Sequence, residues 1–571
     1  MQSFKDDIGN VKWFNREPYP LDLAVITAST EADWLEQAAY ITENLTDAVI
    51  DEAFASLPKE VQDATIDEIK EKLKIRRGHL KEFALEYRKV LLKTVLITGT
   101  DKKDKFRIIR GAGGVTTVEM YSIKDNVETL VQSRTYNRDQ TKEIWIYGLD
   151  DDDVFEVSGK PEKPIMLRLL GGQNHDTYRI ENGRKIMLYD FKSKKNTYET
   201  DSRTGRVISD DYETNSYDAE KPKYNVVAGY PSIGYNPDDG VKIGAIADYT
   251  VNNFNRRPFS QKHNLRGNYY FATDGFELKY AGKFMNAALR WNIGVEIVYT
   301  SPNFSINYFG LGNDTENIDD QRGMDYNRVR LQTFSFAPFI FKETRNGSLT
   351  SFGAVFETIE VDESTSRYVN EPGILDLSLF EHRQYAGVNG KYSFENYDNA
   401  SLPALGMFFY ISGGWKTSLD DTNRNFPHGE AAIGLVHNIT ADESLVFATM
   451  AKGKALFGND FEFYQAATLG GDNDLRGYRR ERFTGKRSVF QSTDLRLTIG
   501  SVKTSFVPMK YGIFGGYDFG RVWISDDPSR KWHQSVGGGA WLNGLDLVTA
   551  RVFYFQGTDG GRIAFGLNFG L

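Results

Sequence analysis

Two groups of residues have the types and spacing to do charge chemistry. The first is the run GLDDDD, in which Asp150, Asp151, Asp152 and Asp153 follow Gly148 and Leu149. A hard cation such as calcium takes oxygen ligands, so Asp150, Asp151 and Asp153 are candidate calcium ligands. The second is LGGDNDLRGYRRERF, from Leu469 to Phe483, which holds Leu475, Arg476, Gly477 and Tyr478 in a polar, glycine-rich loop. Some forty residues on, GGYDFGRVW places Asp518 in the middle of a strand. A guanidinium and a carboxylate pair bidentately, and removing one leaves the other poorly compensated. We therefore expect Arg476 to fold back into an interior and meet Asp518. Catalysis finds no comparable foothold. There is no cysteine and no G-x-S-x-G, P-loop or H-E-x-x-H, and the seven histidines show no metal-ligand spacing. No catalytic residue and no cofactor other than calcium is expected.

The acidic run sits in a repeat. GTDKKDKFRI begins at Gly99, GLDDDDVFEV at Gly148 and GGQNHDTYRI at Gly171. Each has glycine first, aspartate five positions later (Asp104, Asp153, Asp176) and an aromatic two beyond (Phe106, Phe155, Tyr178). Glycine permits a tight turn, aspartate bonds its backbone, and the aromatic fills the core of the next strand. The spacing resembles the glycine- and aspartate-rich repeat of calcium-binding β-rolls. The copies are not contiguous, however, which argues for solvated turns of a β-solenoid or small sheet and against shared ions. Asn174-His175-Asp176 is similar to the GNH[DE] signature of metallophosphoesterases, but Gln173 interrupts it. No D-x-H or G-D-x-x-D block accompanies it, so it reads as a turn.

The chain of 571 residues has 53 glycines, 13% aromatic residues and no apolar run long enough for a spanning helix. That balance suits a large β-structure with tight turns. Acidic residues number 78 against 69 basic, a formal net charge of -9, which argues against a nucleic-acid partner. MQSFKDDIGN lacks the basic and apolar regions of a secretory signal. A barrel needs export, so we expect a mature or truncated chain.

Four regions follow. Residues 1–30 read as an extended lead-in, with Pro18 and Pro20. Residues 31–93 read as helical: Val49, Ile50, Ala53, Phe54 and Leu57 recur at helical spacing after Thr46, a candidate N-cap. Pro58 is expected to open the next helix and Gly78 to end it. Residues 94–220 are the short-strand repeat. From 221 to 571 strands follow one another almost without pause. Val241, Ile243, Ala245, Ala247, Tyr249 and Val251 face one way, and Lys242, Gly244, Asp248 and Thr250 the other. Apolar against polar on a period of two marks a strand with an apolar outside and a wet inside. Turn signals divide the region into about sixteen strands of about 22 residues each, loops included. Around Asp518, Lys510, Gly512, Gly516 and Gly520 share its face, while Tyr511, Ile513, Tyr517 and Phe519 share the other. Asp518 should therefore point into the lumen. The last strand alternates Ile563, Phe565, Leu567, Phe569 and Leu571 with small or polar residues.

Here the resemblance is to the outer-membrane assembly barrels, the BamA, TamA and FhaC superfamily of bacterial surface antigens. LRGY resembles their [VIL]-R-G-[FY] loop, and GYDFG resembles the F-x-D-x-G partner on strand thirteen. The terminal strand resembles their C-terminal signal, carried here by Gly566, Phe569 and Leu571, with Leu in place of the usual Phe at the end. The resemblance covers about the last 350 residues. It implies a mainly β fold, a 16-stranded antiparallel transmembrane β-barrel with an N-terminal periplasmic helical and β-repeat region. It also implies that Leu475, Arg476, Gly477, Tyr478 and Asp518 form a lumen lock. The preceding region does not read as POTRA modules. It looks instead like the connecting region of barrels fused behind a calcineurin-like phosphoesterase domain.

The function implied is insertion or translocation of proteins at the bacterial outer membrane. Its partners would be outer-membrane lipid, unfolded outer-membrane protein substrates and periplasmic or lipoprotein partners. The alternative is a barrel that anchors, or serves as conduit for, an attached periplasmic phosphoesterase-like domain; a third reading is a passive pore. No enzyme is expected within this chain.

Overall fold

The computed structural model describes residues 4–254, 256–288, 291–364, 366–458, 460–472, 474–504, 507–525 and 528–569. The chain divides into two compact units, Met1–Tyr224 with Asn252–Asn255, and Asn225–Val251 with Arg256–Leu571.

The first unit opens with six α-helices: α1 Val11–Phe14, α2 Tyr19–Ile26, α3 Glu31–Asn44, α4 Asp47–Ala55, α5 Ala64–Gly78 and α6 Leu80–Leu91. The extended lead-in expected over 1–30 is corrected by α1 and α2. Pro18 and Pro20 flank the first residue of α2, where the missing N–H costs no intrahelical bond. Thr46 caps α4 by accepting the Val49 N–H. Pro58 does not open α5. Asp63 does, its side chain accepting the Thr65 N–H, and the helix ends at Gly78.

Residues 94–208 wind as a β-solenoid. Strands Thr94–Thr98, Glu143–Leu149, Met166–Gly172, Ile186–Asp190 and Gly205–Ile208 form one parallel sheet. Strands Asp104–Arg110, Val154–Ser158, Thr177–Ile180 and Thr197–Thr200 form the parallel part of a second. The apolar residues of both sheets, among them Val95, Ile108, Ile146, Leu167 and Leu188, make one buried core. The intervening residues that break the repeat form the hairpin Val115–Lys124 and Val127–Asn137, which extends the second sheet at its side. Non-contiguity therefore does not keep the repeated turns apart. The same unit holds the turn residue Phe254, buried with its ring 4.7 Å from Trp145 and 4.5 Å from Tyr189.

The second unit is a closed antiparallel barrel of sixteen strands. They are β1 Val226–Asn236, β2 Gly240–Asn253, β3 Arg256–Tyr270, β4 Gly275–Ala288, β5 Trp291–Thr300, β6 Arg328–Glu343, β7 Ser348–Val361 and β8 Arg383–Glu395. The second half is β9 Gly406–Ser418, β10 Asn425–Asn438, β11 Leu445–Leu456, β12 Arg487–Lys503, β13 Pro508–Trp523, β14 His533–Gly544, β15 Val548–Gly557 and β16 Gly560–Phe569. A further strand, Ser305–Asn307, pairs only with the start of β6.

Alternation places the apolar residues outside. Val241, Ile243 and Tyr249 on β2 and Tyr511, Ile513 and Tyr517 on β13 are all exposed. The lumen is not uniformly wet, because Phe514 shares the Asp518 face and packs with Phe553 and Phe555. The longer loops, between β5 and β6, β7 and β8, and β11 and β12, share one end of the barrel. At the other end the β8–β9 turn, residues 396–405, reaches across the lumen to the opposite strands. Its Ser401 oxygen atoms accept hydrogen bonds from Asn543 Nδ2 (2.9 Å), Thr549 Oγ1 (2.9 Å) and Asn568 Nδ2 (3.3 Å).

Closure between first and last strands is short. Among the described residues β1 and β16 register through Gly234↔Gly566 and Tyr235↔Phe565. The flanking junctions run from Val226↔Thr250 to Asn236↔Gly240 and from Val548↔Phe569 to Gly557↔Gly560.

Candidate functional site, a lumenal charge lock

The β11–β12 loop turns inward on a two-strand stem, Ala467–Leu469 against Phe483–Gly485. Gly470 and Gly471 (φ 122° and 113°) adopt a backbone that side-chain-bearing residues disfavour. Asp474 Oδ1 accepts the Gly470 and Leu475 N–H groups at 2.8 and 2.9 Å. Leu475 and Tyr478 are fully buried in a cluster with Leu469, Phe483, Phe490 and Val522.

Arg476 lies between these anchors. Its Nη2 donates to Asp518 Oδ1 at 2.6 Å and its Nε to Asp518 Oδ2 at 3.0 Å, the bidentate geometry of a strong ion pair. Its own backbone N–H reaches Asp518 Oδ2 at 3.2 Å, and Ser535 Oγ donates to the same oxygen at 2.9 Å. A second carboxylate, Asp494 on β12, accepts from Nη2 at 2.7 Å and Nη1 at 3.1 Å. The guanidinium stacks 3.9 Å over the Phe555 ring. Gly477 is required by close approach: a Cβ there would stand 2.6 Å from the Gly557 nitrogen. Tyr478 then donates its hydroxyl to the Gln534 carbonyl at 3.0 Å. The structure thus brings Leu475, Arg476, Gly477, Tyr478 and Asp518 together in one buried site.

Sequence reasoning missed the second half of this lock. Arg479 Nε donates to Asp238 Oδ1 at 2.6 Å, its Nη1 to Asp319 Oδ1 at 2.6 Å and its Nη2 to Asn307 Oδ1 at 2.8 Å. Asp238, in the β1–β2 turn, is also bonded by Arg562 of β16, so one buried carboxylate joins first turn, last strand and loop. Arg480 pairs with Asp239 and Arg482 with Asp559. The signal available was the density of arginines: four in LRGYRRER, within an acidic chain, need acids to meet them.

The C-terminal signal residues separate. Gly566 lies on β16 at the seam, Phe569 ends that strand, and Leu571 lies outside the described residues.

The calcium candidates behave differently from one another. Asp150 Oδ1 accepts Asn174 Nδ2 at 2.8 Å and the Asp151 N–H at 2.9 Å, and Asp151 Oδ1 accepts the Asp152 N–H at 2.9 Å. Asp153 instead faces the solenoid interior. Among the described residues no group of three or more acids and histidines stands together as a metal site, so these three are not one ligand set. What the repeat builds is a ladder. The Asp104 N–H donates to Asp153 Oδ1 (2.8 Å), the Asp153 N–H to Asp176 Oδ1 (2.9 Å), and the Asp176 N–H to Asn196 Oδ1 (2.9 Å). Phe106, Phe155, Tyr178 and Tyr198 stack beside it at 5.0, 5.1 and 5.4 Å. Asn196 and Tyr198 are a fourth rung, hidden in the sequence because asparagine replaces aspartate and Phe191 stands where glycine does. The repeat glycines serve packing, not a left-handed turn: a Cβ at Gly148 would stand 2.1 Å from Asp153 Oδ2. Burial pushes the Asp153 carboxyl up to about 9, with the neighbouring Asp176 and Asp104 carboxyls adding to the rise. Burial, then Asp190, pushes Asp176 up to about 8.

A closed sixteen-stranded antiparallel barrel whose in-folded Arg-Gly-Tyr loop meets a strand-thirteen aspartate is the arrangement that the sequence's resemblance to the outer-membrane assembly barrels implied. Residues 275–547, from β4 to the β14–β15 turn, match the Omp85 superfamily domain. Among solved structures the chain is similar to BamA from Haemophilus ducreyi lacking POTRA domains 1-3, at 14% identity, covering 61% of this chain and 71% of that one, with a TM-score of 0.44. It is also similar to CdiB from Acinetobacter baumannii (12% identity, 60% and 59% covered, TM-score 0.39) and CdiB from Escherichia coli (11%, 61% and 63%, TM-score 0.41). The chain thus spans about six tenths of those CdiB chains. No curated protein matches it.

Proposed function

We propose that this barrel inserts or translocates proteins at the bacterial outer membrane, with residues 1–220 on the periplasmic side and unfolded outer-membrane proteins as substrates. The observation that carries the proposal is the seam, where the described residues of β1 and β16 form two registered pairs while their other edges pair along most of their length. Unpaired N–H and C=O groups on facing edges are a template for an incoming strand. The charge lock ties the first turn and the last strand to the in-folded loop at one end of this junction.

The test uses a urea-unfolded barrel substrate and liposomes carrying this protein. The chain has no cysteine, so cysteines at Tyr235 and Phe565 give one defined cross-link across the seam. Insertion should be faster than into protein-free liposomes, slow to that baseline on oxidation, and recover on reduction. No acceleration by correctly folded protein would overturn the proposal. It would favour the second reading, a membrane anchor or conduit for an attached phosphoesterase-like domain. Two observations support that reading: the lumen is crossed by the charge-lock loop and by the 396–405 turn, and the unit ahead of the barrel is a helix-capped solenoid rather than POTRA repeats.

A further inference from the structure

One row of registered residues crosses the seam on the lumen face. Trp541 pairs with Arg551, Arg551 with Gly566, Gly566 with Gly234, and Gly234 with Lys242. Residues directly opposite one another in a ladder point to the same side. Two cations therefore flank two glycines, and the glycines are the seam pair itself. With strands about 4.8 Å apart, the Arg551 and Lys242 backbones lie roughly 14 Å from each other, within joint reach of one small group between them. Lys242 leans inward, its Cε and Nζ 3.3 and 3.7 Å from where a Gly234 Cβ would be. Over Gly566 a Cβ would meet nothing within 4 Å. That space belongs to a lumenal cavity of about 600 Å³.

The cavity's charges are unevenly used. Arg480 is held by Asp239, Arg496 donates to the Pro403 carbonyl, and Asp494 is held by Arg476. Arg551 and Lys242 have neither an ion pair nor a protein hydrogen bond among the described residues, and Asp472, on the loop, faces Arg551, Arg480 and Arg562 without closing an ion pair with any of them. Trp541, 4% exposed, has an indole N–H with no acceptor among the described residues. A guanidinium fork and an ammonium line the cavity from separate strands, which suits the several oxygens of a tetrahedral anion, while the Trp541 ring lies over Gly512 on the far side of its strand. Phe565 and Leu567, the alternate residues of β16, line the same cavity. The site therefore reaches toward the lipid-facing side where the seam pairing stops.

We propose that the lumen face of the seam binds a phosphate group, bridged between Arg551 and Lys242 over Gly566. The bound group ties β15 to β2 across the β16–β1 junction and so favours the closed seam. Its source is either soluble phosphate or the headgroup of an anionic phospholipid entering from the seam. The site stands independently of the insertase reading, because it requires only the register and the unpaired cations.

The experiment uses the full chain. In maltoside micelles free of phospholipid, inorganic phosphate is titrated against chloride at matched ionic strength, with calorimetry and thermal unfolding of the barrel as readouts. The same unfolding is followed in phosphatidylcholine vesicles with and without phosphatidylglycerol. Phosphate-specific binding and a rise in melting temperature in micelles support the site with soluble phosphate as its ligand. Protection seen only with phosphatidylglycerol supports it with a lipid headgroup. In either arm Arg551→Gln and Lys242→Gln should each weaken binding about tenfold, and Gly566→Val, which fills open space without a clash, should abolish it in a folded barrel. Absence of protection in both arms, or protection unchanged in the three variants, would overturn the proposal.

Discussion

The molecule buries carboxylates in two places and treats them in opposite ways. In the barrel, Asp518 and Asp238 are met by arginines and by further hydrogen-bond donors. In the solenoid, Asp104, Asp153 and Asp176 meet backbone N–H groups and one another, with no cation within bonding distance among the described residues. Asp153 and Asp176 each also leave an oxygen, Oδ2, with no partner at all. A paired carboxylate keeps its charge and makes its partner indispensable. A stacked, unpaired one raises its affinity for a proton and makes its unit sensitive to pH. The lock fixes loops that are distant in sequence. The ladder fixes rungs that follow one another in space.

The two modes can be broken separately. The largest effect should come from Asp518→Ala, which removes the buried one of the two carboxylates that hold Arg476 and should cost about 3–5 kcal/mol, read from urea unfolding of the barrel in micelles. Next comes the pH response of the solenoid. Its folded state holds protons that the unfolded chain releases near the ordinary aspartate value of about 4. Stability should therefore be full below that value and fall as pH rises through about 8 to 9, by a few kcal/mol in order of magnitude. Hydrogen exchange at the Asp104 and Asp153 amides across pH 5 to 9 reads it locally, after correction for intrinsic exchange. Asp153→Asn keeps an acceptor without a titrating proton and should flatten the slope; an unchanged slope would mean the ladder is not its source. Gly148→Ala should cost about 1–3 kcal/mol, because its Cβ would collide with Asp153 Oδ2 and no left-handed backbone is involved. The smallest effect should be that of calcium. With Asp150, Asp151 and Asp152 oxygens already bonded to turn donors, millimolar calcium should leave the melting temperature unmoved. A clear rise would restore the metal reading.

The barrel was legible in the sequence because its signals are local and periodic. Alternation in β2 and β13 marks the outward face, and Leu475 to Tyr478 with Asp518 form a pair of motifs specific enough to place the loop between the eleventh and twelfth strands. What escaped was set by tertiary partners. Asp238 and Asp239 sit in an ordinary Asn-Pro-Asp-Asp-Gly turn, and nothing local says that three arginines will arrive there from the loop and the last strand. The 396–405 turn looks like any polar turn until the strands facing it across the lumen are known. In the solenoid, the hairpin between the first two rungs concealed their stacking, and Asn196 concealed the fourth. The prolines of α2 misled for a different reason: near a helix start they stabilise the very element that they interrupt elsewhere.

The most direct test of the lock is a double-mutant cycle on Arg476 and Asp518. Urea-unfolding free energies would be measured for the native barrel, Arg476→Ala, Asp518→Ala and the double variant in the same micelles. We predict that the double variant loses little more than the worse single one, a coupling of about 2–3 kcal/mol. Losses that simply add would contradict the account, because they would mean that loop and strand are stabilised without one another.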